Sequence, residues 1–110
     1  MKSDDRKRPV LACDLSALDP PRRARRAVLA RELHGLRVGI DELPDGYAFR
    51  YAADNSTLIK IAEFVSMERL CCPFFEFTIE VSSGAKPMRL RLAGGEDVKQ
   101  FLASELGIAP

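Results

Sequence analysis

The sequence contains few cysteines, a single histidine and no long apolar run. Three cysteines in 110 residues fall far below the density of a disulfide-stapled secreted module. The charged N-terminal segment MKSDDRKRPV is not followed by an apolar run of signal-peptide or membrane-spanning length. These absences predict a cytoplasmic protein that does not enter a membrane, in which the cysteines are thiols rather than a structural disulfide.

The sequence also lacks a large excess of charge of either sign. Lys and Arg number 17 against 16 Asp and Glu, so the overall charge favours neither nucleic acid nor an anionic membrane as a partner. The near-neutral sum conceals a basic N-terminal third, because residues 1–37 hold 10 basic and 5 acidic side chains. No helix-turn-helix, zinc-finger or aromatic-basic motif accompanies the basic face of Arg22–Arg31. We therefore do not expect nucleic-acid binding, and the role of this face stays open.

Familiar catalytic motifs are missing as well. The sequence has no glycine-rich phosphate loop, no G-x-S-x-G segment and no paired carboxylates at a strand end. Hydrolase and nucleotide-dependent functions thus have no support, and whether the protein is an enzyme stays open. With 46% hydrophobic and 30% charged residues, the chain suits one small domain over residues 9–110, preceded by a disordered tail at 1–8.

Three segments have the start and stop signals of helices. Asp19 followed by two prolines predicts a helix over 20–34 that stops at Gly35. A second helix is predicted from the capping residues at 54–56 to about Cys72, before Pro73. The last helix is predicted over 96–106, with acidic residues in its first turn.

Apolar residues alternate with polar ones in four further segments, which is typical of half-buried strands. The segments form two pairs, each joined by a turn, and so predict two β-hairpins. The alternating apolar residues are Leu36, Val38 and Ile40; Tyr47, Phe49 and Tyr51; Phe75, Phe77, Ile79 and Val81; and Met88, Leu90 and Leu92. The predicted fold is α+β, ordered helix, hairpin, helix, hairpin, helix, with a four-stranded antiparallel sheet covered by helices.

A carboxylate and two thiols come together at the end of the second predicted helix. Helical periodicity places Glu68 between two apolar stripes, where an unpaired charge would be costly. Glu68 precedes Cys71 by three residues and Cys72 by four, the spacings that bring helical side chains together. One interpretation is structural: Glu68 pairs with Arg69, Arg89 or Arg91, and the cysteines are small core residues.

The other interpretation is a site for a soft metal ion. Its predicted ligands are Cys71 and Cys72, with Cys13 as a third sulfur and Glu68 as ligand or supporting group. Adjacent helical side chains diverge by about 100°, so both sulfurs could reach one ion only if the helix unwinds at Pro73. A zinc site that adds His34 is weaker, because no C-x-x-C spacing is present.

Two further functions stay open on the same residues. A thiol redox protein would use the cysteines directly, provided that one thiol has a lowered pKa. A non-catalytic interaction module would instead use the apolar surface of the second helix to form a homodimer, which a small core also favours. His34, at the end of the first predicted helix, is expected to interact with the last carbonyls of that helix.

The string ERLCCPFFEFTIEV, preceded by LPDGYAFRY and followed by MRLRLAGGEDVKQFL, resembles a family of small bacterial proteins marked by an E-R-x-C-C-P-F segment. The resemblance covers about residues 13–106. It implies that Glu68, Arg69, Cys71, Cys72 and Pro73 are the motif positions, and it implies a connection with heavy-metal, especially mercury, resistance. It supplies no established activity.

Overall fold

The computed structural model describes residues 13–107. Within them the protein is an α+β fold with three α-helices and a four-stranded antiparallel sheet, as predicted. The predicted tail at 1–8 lies outside the described residues. In chain order the elements are a short 3₁₀ turn at Leu15–Ala17, α1 (Pro20–Leu36), β1 (Arg37–Leu43), β2 (Gly46–Tyr51), α2 (Asn55–Cys71), β3 (Glu76–Glu80), β4 (Met88–Ala93) and α3 (Glu96–Leu106).

The helix boundaries follow local chemistry. The Asp19 carboxylate accepts a hydrogen bond from the backbone N–H of Arg22 and so caps α1, whose first positions are prolines. The prediction that α1 stops at Gly35 is wrong: the helix includes Gly35 and ends at Leu36, where the chain turns directly into β1. Helix α3 spans Glu96–Leu106, as predicted, and is followed by Gly107 in the left-handed region, with φ of 70°.

The strands lie in the order β1-β2-β4-β3. Because β2 pairs with β4 in the register Phe49 with Leu90, the alternating large residues of both strands share one face. Their buried side chains form a single core with residues of all three helices. This core includes Tyr47, Phe49, Tyr51, Met88, Leu90 and Leu92 from the sheet, and Leu29, Leu33, Ile61, Met67, Val98 and Leu102 from the helices.

Polar pairs occupy the other side of the sheet. Arg89 is 3.1 Å from Glu80, its register partner on β3, and Arg50 is 3.0 Å from Asp41 on β1. Glu80 and Arg89 thus form an oppositely charged cross-strand pair. Among residues 13–107, no helix is both long and apolar enough to cross a membrane.

Candidate functional site

The C-terminal end of α2 meets the segment that precedes α1. Pro73 follows α2, and Cys72 already has a non-helical backbone, with φ of −126° and ψ of 70°. The backbone N–H of Asp14 donates a 2.8 Å hydrogen bond to the carbonyl of Cys71, one of the last carbonyls of the helix. This bond holds the segment that begins at Cys13 against the end of α2.

Cys13 and Cys72 form a disulfide, so the prediction of three thiols is wrong for the described structure. The pairing arises because Cys13 passes beside the turn that ends α2, where the two Cα atoms are 4.7 Å apart. The linked residues are 59 positions apart in the chain. Cys13 is partly exposed, whereas Cys72 is fully buried.

Glu68 is buried beside this disulfide, as the apolar stripes around it suggest. Its side chain is only 8% exposed, and one carboxylate oxygen accepts a 2.6 Å hydrogen bond from Nε of Arg26 on α1. The other oxygen is 3.6 Å from the Cys72 sulfur. The guanidinium of Arg26 also lies 5.7 Å from the ring centre of Phe64. The pair is thus charge-assisted and largely desolvated.

Arg26 is the residue at this site that sequence reasoning missed. The expected partners of Glu68 were Arg69, Arg89 and Arg91, and the structure pairs it with none of them. The signal for an arginine partner was present, because a buried carboxylate needs one. The sequence could not choose among the five arginines of α1.

Cys71 takes no part in the disulfide that its neighbour Cys72 forms. It is a free, fully buried cysteine that belongs to the hydrophobic core. Burial raises the pKa of the Cys71 thiol; Arg26 opposes this shift, and Glu68 and Asp14 add to it. Because the reactive form of a cysteine is the thiolate, this environment suppresses the reactivity of Cys71.

Three of the four predicted metal ligands therefore come together. Three ligand atoms lie within 4.8 Å of one another: the sulfur of Cys13, the sulfur of Cys72 and a carboxylate oxygen of Glu68. Ligand atoms bound to one zinc-sized ion at about 2.3 Å can be at most about 4.6 Å apart, so reduction and small side-chain movements would suffice to form such a site. His34 is exposed and lies outside this group.

A cavity of about 250 Å³ adjoins the disulfide. Cys13, Arg26 and Glu68 form part of its wall, and apolar side chains from the helices and the sheet form most of the remainder. The apolar lining includes Leu33, Phe49, Phe64, Phe75, Leu90, Leu92, Phe101 and Leu102, and charged or polar lining residues include His34, Arg37 and Glu105. A small molecule with an apolar body could therefore bind beside Cys13.

Comparison with protein-family models, with curated proteins and with solved structures gives no match. The function is therefore argued from the site itself.

Proposed function

We propose that the reduced protein binds one soft metal ion through the thiolates of Cys13 and Cys72 and the carboxylate of Glu68. The observation that carries this proposal is the convergence of these three ligand atoms within 4.8 Å. Thiolates select soft ions such as Hg²⁺ and Cu⁺, and they also bind Zn²⁺. Cys71, which we predicted as a ligand from the sequence, has no part in this version of the site.

The charges of the site favour a cation once the disulfide is reduced. Two thiolates and one carboxylate would place three negative charges around one point, and Arg26 supplies a single positive charge. Like charges at such short distances disfavour ionisation of the thiols, and a bound cation reverses this effect. Binding should accordingly release protons from the two thiols.

The disulfide makes metal binding dependent on the redox state. Sulfurs that are bonded to each other cannot both act as thiolate ligands, so oxidation and metal binding exclude one another. The E-R-x-C-C-P-F segment agrees with the proposal in that it contains Glu68 and Cys72.

Native mass spectrometry of the reduced protein with Hg²⁺, Cu⁺ and Zn²⁺ tests the proposal. We expect one ion per chain for the wild type and for C71S, and loss of the ion in C13S and in C72S. The C71S variant is the matched control, because it removes the adjacent cysteine that lies outside the ligand group. Loss of the ion in C71S together with retention in C13S would overturn the proposal.

A thiol redox protein is the second candidate, and the Cys13–Cys72 disulfide favours it. Metal-free protein titrated with dithiothreitol separates the two candidates. A redox protein should interconvert reversibly between one disulfide and two thiols, whereas a disulfide that forms only once during folding would exclude this function.

The homodimer predicted from α2 stays a prediction. Ile59 and Leu70 are exposed apolar residues on this helix, at 67% and 37% exposure. Sedimentation velocity at micromolar concentration tests it, and a monomer there would remove the interaction-module hypothesis.

A further inference from the structure

We propose that the cavity beside the disulfide is a substrate site at which Cys13 reduces small organic hydroperoxides. This inference rests on the thiol redox candidate, and the metal site does not require it. It combines two observations: Cys13 is one of the residues that line a mainly apolar cavity, and its sulfur lies next to the sulfur of Cys72 and the carboxylate of Glu68.

Access to the sulfurs determines the kind of oxidant. Cys72 is fully buried, and Cys13 is partly exposed and lines the cavity. A cavity of about 250 Å³ has room for a small organic molecule. We therefore take the oxidant to be a small molecule that enters this cavity.

The lining of the cavity determines the chemical class of the substrate. Four phenylalanine rings and several leucine side chains face the cavity, so an apolar group is favoured over water or hydrogen peroxide alone. A hydroperoxide is the two-electron oxidant that converts a thiolate into a sulfenic acid, and a sulfenic acid condenses with a nearby thiol to give a disulfide. The Cys13–Cys72 disulfide is the product that this chemistry leaves.

The first step forms a sulfur–oxygen bond. The Cys13 thiolate attacks the terminal oxygen of R–O–O–H, the O–O bond breaks, and the alkoxide leaves and takes up the proton lost by the thiol. The products are the alcohol R–OH and Cys13 sulfenic acid. Arg26 lines the same cavity, and its hydrogen bond to Glu68 uses Nε, which leaves its terminal N–H groups to bind the peroxide oxygens.

The second step forms the disulfide. The thiol of Cys72 attacks the sulfur of the sulfenic acid, and its proton passes to the Glu68 carboxylate, whose oxygen is 3.6 Å from the Cys72 sulfur. The hydroxide that leaves Cys13 takes this proton and departs as water. A small dithiol then reduces the disulfide to two thiols and is itself oxidised to a disulfide, which completes a balanced cycle.

The test follows consumption of cumene hydroperoxide and of hydrogen peroxide by metal-free protein, with dithiothreitol as reductant and a chelator present. For the wild type we expect cumene hydroperoxide to react at least about tenfold faster than hydrogen peroxide, the range that apolar contacts in a pocket supply. C13S should lose the activity. C72S that is treated with cumene hydroperoxide after removal of dithiothreitol should accumulate a sulfenic acid that dimedone traps, and C71S should behave as the wild type.

A cavity-filling variant separates binding in the cavity from simple exposure of a thiol. Ala30 lines the cavity, whereas Ala27, one turn earlier on α1, is exposed and does not line it. The ratio of the cumene hydroperoxide rate to the hydrogen peroxide rate should fall about tenfold in A30L and stay unchanged in A27L. Circular dichroism shows whether both variants are folded. If A30L does not fold, the ratio of the two peroxide rates in the wild type still tests the inference.

Three outcomes would overturn the inference. These are equal rates for the two peroxides, loss of activity in C71S, and a wild type that consumes no peroxide. If the disulfide still interconverts with dithiothreitol, the redox candidate survives and only the hydroperoxide inference fails. If the reduced protein never re-forms the disulfide, the redox candidate and the hydroperoxide inference both fail. The metal-binding proposal is unaffected, because native mass spectrometry tests it independently.

Discussion

Helix α2 begins among exposed polar groups and ends among buried ones. At its first turn the exposed carboxylate of Asp54 caps the helix, and further along the exposed Glu63 is 2.8 Å from Arg25 on α1. Near its last turn the buried Glu68 is 2.6 Å from Arg26, also on α1. Two adjacent arginines of one helix thus pair with two glutamates of another in very different surroundings.

The difference between the two ion pairs shows where the site lies. The side chains of Arg25 and Glu63 are 44% and 38% exposed, and pairs of this kind add little to stability. The side chains of Arg26 and Glu68 are 20% and 8% exposed. Removal of either one would leave the other as a largely buried, unpaired charge. A desolvated carboxylate is costly, and among residues 13–107 the only buried carboxylate is Glu68, beside the disulfide.

Loss of the disulfide should have the largest effect at the buried end of α2. A cross-link between residues 59 positions apart is expected to stabilise the fold by about 4 kcal/mol, since it restricts the unfolded chain. Urea unfolding should show a loss of this order for C13S and for the reduced wild type. C71A, which truncates a buried side chain and keeps the disulfide, should lose only about 1 kcal/mol. Equal losses in C13S and C71A would contradict this prediction.

The two ion pairs can be compared directly by removing each arginine. R26M leaves the buried Glu68 carboxylate without its partner and should lower the free energy of unfolding by about 3 kcal/mol. R25M removes the exposed partner of Glu63 and should produce no resolvable change. Urea unfolding at pH 7 measures both. Losses of the same size would mean that the buried pair is no different from a surface pair.

The adjacent cysteines should differ in reactivity. Because burial raises the pKa of Cys71, iodoacetamide should label this thiol slowly at pH 7 and faster above about pH 9. A raised pKa in the folded state also means that Cys71 stabilises the fold below its unfolded pKa, and that this contribution is lost as the pH rises through the folded pKa. Mass spectrometry of the oxidised protein measures the labelling, and rapid modification at pH 7 would contradict burial.

The smallest effect is expected at the exposed end of α2. Hydrogen bonds from the backbone N–H and the hydroxyl of Thr57 lower the pKa of Asp54. A lowered pKa gives stability that is present above the unfolded pKa and is lost as the pH falls through the folded pKa. D54A should therefore be less stable than the wild type at pH 7, and the difference should shrink at pH values below about 3. A difference that is independent of pH would show that the carboxylate charge is unimportant.

Features that depend on neighbouring residues could be predicted from the sequence. The caps at Asp19 and Asp54, the paired strands and the out-of-place carboxylate of Glu68 all follow from spacing within one or two turns. The stop assigned to Gly35 failed because β1 begins immediately after α1, and glycine is tolerated inside a helix when the chain does not need to reverse there.

Features that depend on distant segments could not be predicted. Arg26 and Glu68 are 42 residues apart, and the basic face of α1 offered several equivalent arginines. The pairing of Cys13 with Cys72 depends on how the segment before α1 passes the end of α2, which no local pattern specifies. Since Cys71 and Cys72 are neighbours and both are buried, the sequence could not decide which of them pairs with Cys13.

The central claim is that Cys13, Glu68 and Cys72 act as one site and that Cys71 does not belong to it. Native mass spectrometry of reduced C13S and C71S with one equivalent of Hg²⁺ per chain, in the presence of a competing small thiol, tests this claim most directly. We expect C71S to retain one ion and C13S to release it to the competitor. Retention by C13S and release by C71S would show instead that the adjacent cysteines, Cys71 and Cys72, bind the ion.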